Sequence, residues 1–332
     1  MTGRIICFGE LLLRFTTPGH ERLMQSPKFD VHFGGAEANV GVSLARFGHD
    51  VRMVSALPDN PFGEATIEAL RAQQVDAKGV ARGDGRMGIY FLETGAVRRP
   101  SRIVYDRANS VFANTPATAY DWPKLLEGAD WLHLSGITPA IGPEPSKAAR
   151  DAVRTAREMG ISVAFDGNYR EALWSAWGGN GPDVLRDILG HADAAFINER
   201  DIALILGETP ASRADAMTRA FEVFPSLSAI ACTSRAQTSV TDQTLTGELY
   251  TREGHWTSKP HTMSGVVDRI GGGDAFAAGI LHGSIEAYGA QRSVEFATAA
   301  SVIKHSIPGD WNLTTVREVE DAMSENGLDV RR

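Results

Sequence analysis

Short apolar runs alternate with amphipathic segments along most of the chain. The apolar runs predict buried strands, and they lie at residues 4–9, 51–56, 131–134, 161–166, 194–198 and 229–233. Apolar positions at helical spacing predict helices at residues 36–47, 63–74, 146–159, 184–189, 275–287, 292–304 and 315–324. Strands that alternate with helices of this length indicate βαβ units, so we expect an α/β fold with a mostly parallel sheet covered on both faces. In such sheets, ligands bind beyond the carboxyl ends of the strands.

Two segments, residues 11–33 and 86–112, break this alternation. They lack helical periodicity and are rich in Gly, Thr, Tyr, Phe and Arg, which predicts short antiparallel strands. Because they are inserted between βα units of a single domain over residues 1–332, we expect them to form a small second sheet that acts as a lid. An apolar outer face on that sheet would need cover, so we expect a homodimer formed through the lid. Residues 241–256 predict a hairpin on the main body.

Composition excludes several classes of protein and partner. Hydrophobic residues make up 43% of the 332 residues and charged residues 22%, which is typical of a globular protein and not of a disordered chain. The net charge of −8 argues against nucleic acid or an anionic membrane as a partner. Cys7 and Cys232 are the only cysteines, too few for a disulfide framework or a zinc cluster, which favours the reducing cytoplasm. The apolar start, residues 1–15, is too short to span a membrane.

The most informative segment is a run of glycines that leads into an Ala-rich helix, residues 266–279, VVDRIGGGDAFAAG. Gly271, Gly272 and Gly273 allow a tight turn and close approach of a ligand, and the free N–H groups at a helix N-terminus bind anions. Asp274 would then be a carboxylate beside a bound phosphate, placed to take a proton from an alcohol that attacks phosphorus. The alternative is that Asp274 only caps the helix.

Two common nucleotide-binding motifs are excluded. A P-loop needs a Gly-Lys pair, and none occurs in the chain. Residues 83–88 match G-x-G-x-x-G literally, but strand-like residues follow them where a dinucleotide fingerprint requires a helix.

The glycine loop and a segment near the N-terminus resemble the two signatures of a known family. Residues 271–274, GGGD, with the helix that follows, resemble the C-terminal signature of the ribokinase-like (PfkB) carbohydrate kinases, D-T-x-G-A-G-D. Residues 34–41, GGAEANVG, and 44–48, LARFG, resemble the N-terminal signature. The resemblance covers nearly the whole chain. It implies the ribokinase-like three-layer α/β/α fold with a small β-sheet lid, and ATP and Mg²⁺ as cofactors.

Within this family, the chain is most similar to the 2-keto-3-deoxygluconate kinases. The segments that carry this similarity are 88–93, GIYFLE, 102–108, RIVYDRA, and 165–170, FDGNYR. The resemblance implies transfer of the ATP γ-phosphoryl group to the C6 hydroxyl of 2-keto-3-deoxygluconate, with Asp274 as base and the amides of Gly271, Gly272 and Gly273 as anion hole. It also implies substrate contacts from Gly34, Tyr90, Tyr105, Arg107, Arg170 and Asp310.

The two arginines carry the argument for a sugar acid, because guanidinium pairs with carboxylate through two hydrogen bonds. Ordinary structural explanations exist beside these functional ones. Either arginine could belong to a surface ion pair, Tyr90 could be a plain strand aromatic, and Gly34 and Asp310 could serve in turns.

Other positions depart from the family pattern. Arg269 and Ile270 stand where the family has a Thr pair in the loop associated with a monovalent cation, so such a cation stays open. The family's N-x-x-E metal motif reads NERD at residues 198–201, which leaves open whether Glu199 or Asp201 organises the water around Mg²⁺. The expected nucleotide contacts are Asn168, Asn198 and Thr233, and the expected metal contacts, through water, are Asn198, Glu199 and Asp201.

Two other functions remain open. The same fold could phosphorylate a neutral acceptor such as fructose, ribose or a nucleoside, or the chain could be an inactive sensor of a sugar acid. Arg107 and Arg170 favour an acidic substrate over a neutral one, since a neutral sugar needs no cationic partner. Asp274 favours an enzyme over a sensor, since a sensor needs no base.

Overall fold

The computed structural model describes residues 3–237 and 239–324 as two β-sheets with helices packed around the larger one. The large sheet contains β1 (Arg4–Phe8), β4 (Asp50–Pro58), β5 (Val75–Gly83), β8 (Trp131–Ser135), β9 (Ser162–Asp166), β10 (Ala194–Phe196), β11 (Ala229–Gln237), β12 (Gln243–Thr251), β13 (Gly254–Thr257) and β14 (His261–Met263). The small sheet contains β2 (Leu12–Thr16), β3 (Asp30–Gly34), β6 (Gly88–Glu93) and β7 (Arg102–Asp106).

The helices lie between these strands in chain order. They are α1 (Ala36–Arg46), α2 (Pro61–Ala72), α3 (Val111–Asn114), α4 (Trp122–Leu125), α5 (Ile137–Ala140), α6 (Pro143–Glu158), α7 (Glu171–Ser175), α8 (Gly181–Leu189), α9 (Glu199–Leu206), α10 (Arg213–Val223), α11 (Gly272–Ile285), α12 (Ala290–Lys304) and α13 (Val316–Met323). A 3₁₀ turn covers Ala117–Ala119.

The large sheet has the order β13-β12-β11-β10-β9-β8-β1-β4-β5, with β14 paired to β12. Strands from β5 through β11 pair in parallel, and β12, β13 and β14 add an antiparallel edge. The predicted mostly parallel sheet is therefore confirmed, and the hairpin predicted at residues 241–256 corresponds to β12 and β13.

Helices cover both faces of the large sheet and bury two separate cores. Within β1, Ile6 and Phe8 join the core on one face, and Ile5 and Cys7 join the core on the other, because successive side chains of a strand point to opposite sides. Residues of α6 and α8 complete the first core, and residues of α1, α11 and α12 complete the second. This is the three-layer α/β/α arrangement that the sequence predicted.

The small sheet has the order β3-β2-β6-β7 and is built from the two segments that break the βα alternation. The predicted antiparallel pairing is right for β2 with β3 and for β6 with β7, but wrong for the central pair, because β2 and β6 are parallel. The reason is the connection: between β3 and β6 the chain passes through α1, β4, α2 and β5 of the main body. The second segment therefore returns to the sheet in the direction of the first.

Three smaller expectations concern the G-x-G-x-x-G segment, the two cysteines and membrane-spanning helices. Residues 83–88 link the end of β5 to the start of β6, so no helix follows this G-x-G-x-x-G, as predicted. Cys7 and Cys232 are both buried free thiols. Within residues 3–237 and 239–324, no helix is long and apolar enough to cross a bilayer.

Candidate active site

The glycine loop ends at the first turn of α11, and its backbone faces a cleft. Gly271 precedes the helix with a φ of 81°, a left-handed value that favours glycine, and a Cβ there would lie 2.0 Å from the carbonyl oxygen of Asp310. The N–H groups of Gly272, Gly273 and Asp274 lie in the first turn, so they have no carbonyl partner within the helix. Gly271, Gly273 and Asp274 line a cleft of about 320 Å³, here called the small-sheet cleft. Such a helix terminus attracts an anion.

Asp274 lies in this first turn, partly exposed to the cleft. Its Oδ2 accepts a hydrogen bond of 2.7 Å from Nδ2 of Asn39, which belongs to α1. Burial raises the pKa of Asp274 to about 7, and the hydrogen bond from Asn39 opposes that rise. The N-cap of α11 is Gly271, so capping does not explain Asp274. A carboxylate with a pKa near 7 is well matched to accepting a proton at neutral pH.

Five of the six predicted substrate residues line the small-sheet cleft together with Asp274. They are Tyr90, Tyr105, Arg107, Arg170 and Asp310. The sixth, Gly34 at the end of β3, does not line it. A Cβ at Gly34 would lie 2.2 Å from Oδ2 of Asp310, so this glycine makes room for the Asp310 carboxylate.

Asp310 is buried and held by two residues of the small sheet. Its Oδ1 accepts from Nη1 of Arg14 at 2.9 Å, and its Oδ2 accepts from the hydroxyl of Tyr90 at 2.6 Å. Burial raises the pKa of Asp310, while the Arg14 guanidinium and the Tyr90 hydroxyl lower it. The same arginine pairs with Asp268 at 2.6 Å through Nη2. These contacts join the small sheet to the glycine loop and to the segment that follows α12.

The Arg107 side chain is buried and forms an ion pair with Glu10. Its Nε donates to Oε2 of Glu10 at 2.7 Å, its Nη2 lies 2.5 Å from the same oxygen, and Ser110 donates to Oε1. The Arg107 guanidinium also lies over the ring of Tyr105, 5.7 Å from its centre. The positive charge of Arg107 is thus compensated by Glu10, and only part of its donor set faces the cleft.

Arg170 differs from Arg107 in both exposure and pairing. It is exposed, and its guanidinium donates to the backbone carbonyl of Tyr169 at 3.4 Å. Within the described part of the chain it forms no ion pair with a carboxylate. Its charge nevertheless lowers the pKa of Asp166 and of Asp201, so it lies close to both. Among the described residues, Arg170 and Arg269 are the arginines that line this cleft without an ion pair to a carboxylate, and Arg170 is the more exposed of the two.

A second cleft, of about 270 Å³, meets the first at Gly273, Asp166, Asn168 and Arg170, which line both. It is here called the Asn198 cleft. The predicted nucleotide residues Asn168, Asn198 and Thr233 all line it, and so does Asp201. Asn168, two residues past the end of β9, adopts a φ of 31°. The two clefts lie on either side of the α11 N-terminus, so there is space for a bound molecule on each side, as group transfer between two molecules requires.

The two carboxylates of the NERD segment have different surroundings. Glu199 accepts from Arg213 at 2.8 Å and does not line the Asn198 cleft. Asp201 forms a capping box with Asn198: the Asn198 N–H donates to Oδ2 of Asp201 at 2.9 Å, and Oδ1 of Asn198 accepts from the N–H of Arg200 and of Asp201. Of the two, Asp201 is the carboxylate that faces the cleft.

Four carboxylates, those of Asp166, Asp201, Asp274 and Glu37, gather where the clefts meet. Burial raises the pKa of Asp166 well above its usual value, and the nearby carboxylates of Asp274, Asp201 and Glu37 raise it further. Burial also raises the pKa of Asp201. These groups cannot all ionise readily in the unliganded protein, so the junction is well suited to a ligand that brings a cation.

A larger cavity in the described part of the chain, about 600 Å³, lies between residues 94–103 of the small-sheet segment and residues 237, 239–241 and 266–270. It does not contain Gly271, Gly273 or Asp274. Size alone would have selected this cavity, but the helix terminus, the carboxylates and Arg170 all lie in the two smaller clefts.

Comparison with known proteins identifies the family. The model of the pfkB family of carbohydrate kinases matches residues 2–312, which is most of the chain. The chain belongs to the pfkB family of carbohydrate kinases. It is therefore a phosphotransferase of a family whose members use ATP.

Several relatives in this family are similar over nearly their whole length. A 2-dehydro-3-deoxygalactonokinase of Haloferax volcanii is 30% identical, covering 99% of this chain and 100% of the relative. A 2-dehydro-3-deoxygluconokinase of Bacillus subtilis is 26% identical, covering 94% and 93%. The crystal structure of a 2-dehydro-3-deoxygluconokinase from Thermotoga maritima superposes with a TM-score of 0.92 at 36% identity, covering 98% of this chain and 99% of that one.

One departure from the pfkB signature has a visible cause. Where the signature has Ala, this chain has Gly272, and a Cβ there would lie 2.5 Å from Cε1 of His305. The His305 ring is buried, and its Nδ1 lies 2.6 Å from the carbonyl oxygen of Ser301. The space that a methyl group would need at position 272 is thus filled by His305.

Sequence reasoning gave no role to several residues of the site. In the sequence, Asn39 belongs to the N-terminal signature without an assigned role, and no pattern marks Glu10, Arg14 or Asp268 as partners of the site residues. One signal was present for Arg14: a charged residue inside an apolar strand needs a buried counter-charge. For Glu10 the pairing with Arg107 depends on two segments that only the fold brings together.

Proposed function

We propose that this protein phosphorylates 2-keto-3-deoxy-D-gluconate at its C6 hydroxyl with ATP. The observation that carries the proposal is the junction of the two clefts. There Asp274, with a pKa near 7, stands beside the open amides of α11 and close to an arginine that has no carboxylate partner in the described chain. A base, an anion site and an unpaired cation are the three groups that phosphorylation of a sugar acid requires.

The chemistry follows from these positions. Asp274 accepts the proton of the C6 hydroxyl as its oxygen attacks the γ-phosphorus, and the bond from that phosphorus to the bridging oxygen breaks to release ADP. The N–H groups of Gly272, Gly273 and Asp274 stabilise the charge on the phosphoryl oxygens, an effect worth about 3–4 kcal/mol for a single donor in a well-ordered site. Closure of the small sheet as a lid would exclude water, which otherwise competes as acceptor.

The Asn198 cleft is proposed to hold the phosphates of ATP and Mg²⁺. Because Oδ1 of Asn198 is occupied as the N-cap of α9, its Nδ2 donors are the groups left for a phosphate oxygen. Asp201 is the carboxylate that fits Mg²⁺, through water, since this ion prefers oxygen ligands and sheds water reluctantly. When bound, Mg²⁺ would neutralise charge that develops on the phosphates. Thr233 and Asn168 complete the proposed nucleotide contacts.

The acid group of the substrate is proposed to pair with Arg170. Arg107 is already neutralised by Glu10, so it adds its remaining donors and orients Tyr105 over the cleft. The Tyr90 hydroxyl donates a hydrogen bond to Asp310, and both side chains line the cleft, where they would contact the sugar hydroxyls or the ketone. The absence of a counter-ion at Arg170 is what distinguishes this cleft from one suited to a neutral sugar.

The test is ATP consumption with a panel of acceptors: 2-keto-3-deoxygluconate, its galactonate epimer, fructose, ribose and adenosine. We expect turnover restricted to the two keto-deoxy acids, with the epimer preference read directly. In R170Q, kcat/KM for the acid should fall at least about a hundredfold, because removing one partner of an ionic hydrogen bond costs about 3 kcal/mol. R154Q, an exposed arginine on α6, is the matched control. Efficient turnover of fructose or ribose, or an unimpaired R170Q, would refute the assignment.

We also propose a homodimer formed through the small sheet. Tyr90 faces the cleft, so its neighbour Phe91 faces away, and the register places Phe15 and Val104 beside Phe91. On this outer face Val31 is 51% exposed and Val104 is 40% exposed, and every residue of the edge strand β7 is exposed. An apolar sheet face next to an open edge is typical of an interface.

Light scattering coupled to size exclusion tests the dimer. The wild type should elute with the mass of two chains, and the double variant V31D/V104D with the mass of one. M159D, an equally exposed apolar position at the end of α6, should leave the mass unchanged. A monomeric wild type at micromolar concentration would contradict the proposal.

We place the enzyme in the cytoplasm, where ATP is available and free thiols such as Cys7 and Cys232 persist.

A further inference from the structure

Lys304, the last residue of α12, is completely buried. Its ammonium donates to the carbonyl oxygen of Ile307 at 3.0 Å. A buried lysine is rare, since the loss of hydration is costly unless opposite charges and acceptors surround the ammonium. The phosphoryl transfer described above makes no use of this residue, so its presence under the active site calls for an explanation.

The side chain of Lys304 supports the glycine loop. A Cβ on Gly271 would lie 3.1 Å from Cε of Lys304, so the two are in direct contact. The backbone of the loop is also hydrogen-bonded to the residue after Lys304. The N–H groups of Val267 and Asp268 both donate to the carbonyl oxygen of His305, at 2.9 and 3.2 Å. Lys304 therefore lies directly beneath the segment that leads into the anion-binding amides.

The charges around Lys304 are balanced. Asp268 and Asp310 are both buried, and Arg14 pairs with each, at 2.6 and 2.9 Å. Burial lowers the pKa of Lys304, and the carboxylates of Asp268 and Asp310 act in the opposite direction. Two cations and two anions are thus paired in this buried region, and Asp274 in the first turn of α11 is a third carboxylate that raises the pKa of Lys304.

The carboxylate oxygens beside this loop are already engaged by donors of the protein, which leaves them poorly suited to a bound monovalent cation. Such an ion needs several oxygen ligands, but the carboxylate oxygens of the region already accept other hydrogen bonds. Asp268 accepts from the N–H of Ile270 and of Gly309, both at 3.0 Å, in addition to Arg14. In the loop that the family resemblance associates with a monovalent cation, donors of the protein itself thus occupy the carboxylate oxygens of Asp268.

We propose that the ammonium of Lys304 is a built-in cation that positions the glycine loop, and that the enzyme needs no monovalent cation for activity. Lys304 is a positioning residue: it acts through Gly271 and the first turn of α11 and does not contact the reacting groups. Its loss should reduce kcat more than it raises KM for ATP, because it alters the placement of the transition-state amides.

The experiment compares the wild type with K304A and K304M in buffers of constant ionic strength that contain tetramethylammonium, Na⁺, K⁺, NH₄⁺ or methylammonium. Wild-type kcat should vary by no more than about twofold among them. K304A should lose about tenfold to a hundredfold in kcat, as expected for displaced catalytic groups. K304A should also regain activity with NH₄⁺, K⁺ or methylammonium but not with tetramethylammonium. In K304M the side chain fills the space without a charge, so no cation should restore it. K147M, an exposed lysine of α6, is the control.

Two results would overturn the proposal: a wild-type kcat that rises about tenfold with K⁺, or a K304M enzyme with wild-type kcat. If K304A does not fold, K304M decides. The activity measurement depends on the proposed kinase function, so the thermal midpoint Tm is measured in the same buffers. The Tm of K304A should rise with K⁺ and NH₄⁺, whereas that of the wild type should not. A wild type that consumes no ATP with any acceptor would refute the function alone, and the Tm comparison would still decide the role of Lys304.

Discussion

Asp274→Asn should abolish most of the activity and at the same time stabilise the protein. The carboxylate is held near a low-dielectric helix terminus with other carboxylates close by, and Asn39 is its hydrogen-bond donor. An amide at position 274 can still accept from Asn39 but carries no charge. The variant therefore removes the base and the cost of ionising it in a single change.

The size of the stability gain follows from the pKa. Folding raises the pKa of Asp274 from 3.8 to about 7, roughly 3 units. At about 1.36 kcal/mol per unit, ionisation in the folded state costs up to ~4 kcal/mol. Because Asp274 is partly exposed, solvent reduces this value, and we expect a gain of about 1–3 kcal/mol. A gain of that size should raise Tm by several degrees.

The pH dependence gives the sign. A carboxyl whose folded pKa is raised favours folding while it is protonated, so its contribution is fully present below about pH 4 and is lost as the pH rises through about 7. The Tm of D274N should therefore exceed that of the wild type at about pH 8, and the difference should shrink steadily toward pH 4.

Activity is measured on the same samples. The kcat of D274N should fall by about 10²–10⁴, the usual contribution of a general base. Asp183→Asn, an exposed position in the first turn of α8, controls for loss of one carboxylate. Two results would refute the reasoning: a stability difference that does not change with pH, or a D274N enzyme with wild-type kcat.

Two further predictions concern neighbours of Asp274. N39A removes a hydrogen bond to a charged group, worth about 1.5–3 kcal/mol, so it should raise the pKa of Asp274 by about one to two units. The acid limb of the pH profile of kcat/KM, near pH 7 in the wild type, should therefore shift to higher pH by the same amount. The control variant N114A should leave this profile unchanged. In G272A, the new methyl group would lie 2.5 Å from Cε1 of His305, so overpacking should destabilise the protein by about 1–3 kcal/mol in a denaturant titration, and an unchanged midpoint would show that the ring can move freely.

Features whose cause is local could be predicted from the sequence. Six strands of the parallel sheet are short apolar runs that can be recognised without knowledge of the fold. The apolar pattern does not predict β5, because the polar residues Asp76, Lys78 and Arg82 interrupt it. The glycine loop before α11 is equally local, since Gly271 requires a left-handed φ and the helix supplies its own free amides. The position of Asp274 beside those amides follows from the adjacency of the residues in the chain.

Features that depend on distant partners could not be predicted in this way. Arg14 meets Asp268 and Asp310 across 254 and 296 residues of sequence. The parallel pairing of β2 with β6 likewise depends on the path of the chain through the main body between them. For Glu199 and Asp201, two residues apart, the N-cap geometry of Asn198 decides which carboxylate faces the cleft, and the sequence pattern alone is compatible with either.

The electrostatics of the site explain why the same fold can hold a base and two anionic substrates. Without ligands, the junction is rich in carboxylates whose pKa values are raised by burial, and Arg170 is the exposed cation beside them. Beneath the glycine loop, by contrast, Arg14 and Lys304 balance Asp268 and Asp310 within the protein itself. The supporting layer is thus neutral before any ligand binds, and the reacting layer is not. Ligands that bring Mg²⁺ to the Asn198 cleft and a carboxylate to the small-sheet cleft would compensate the unpaired charges of the reacting layer. The layer that positions the amides would stay unchanged. The two layers are coupled through charge, because the Lys304 ammonium lowers the pKa of Asp274. Variants of the two residues are still distinguishable, since the response to added cations is expected for K304A and not for D274N.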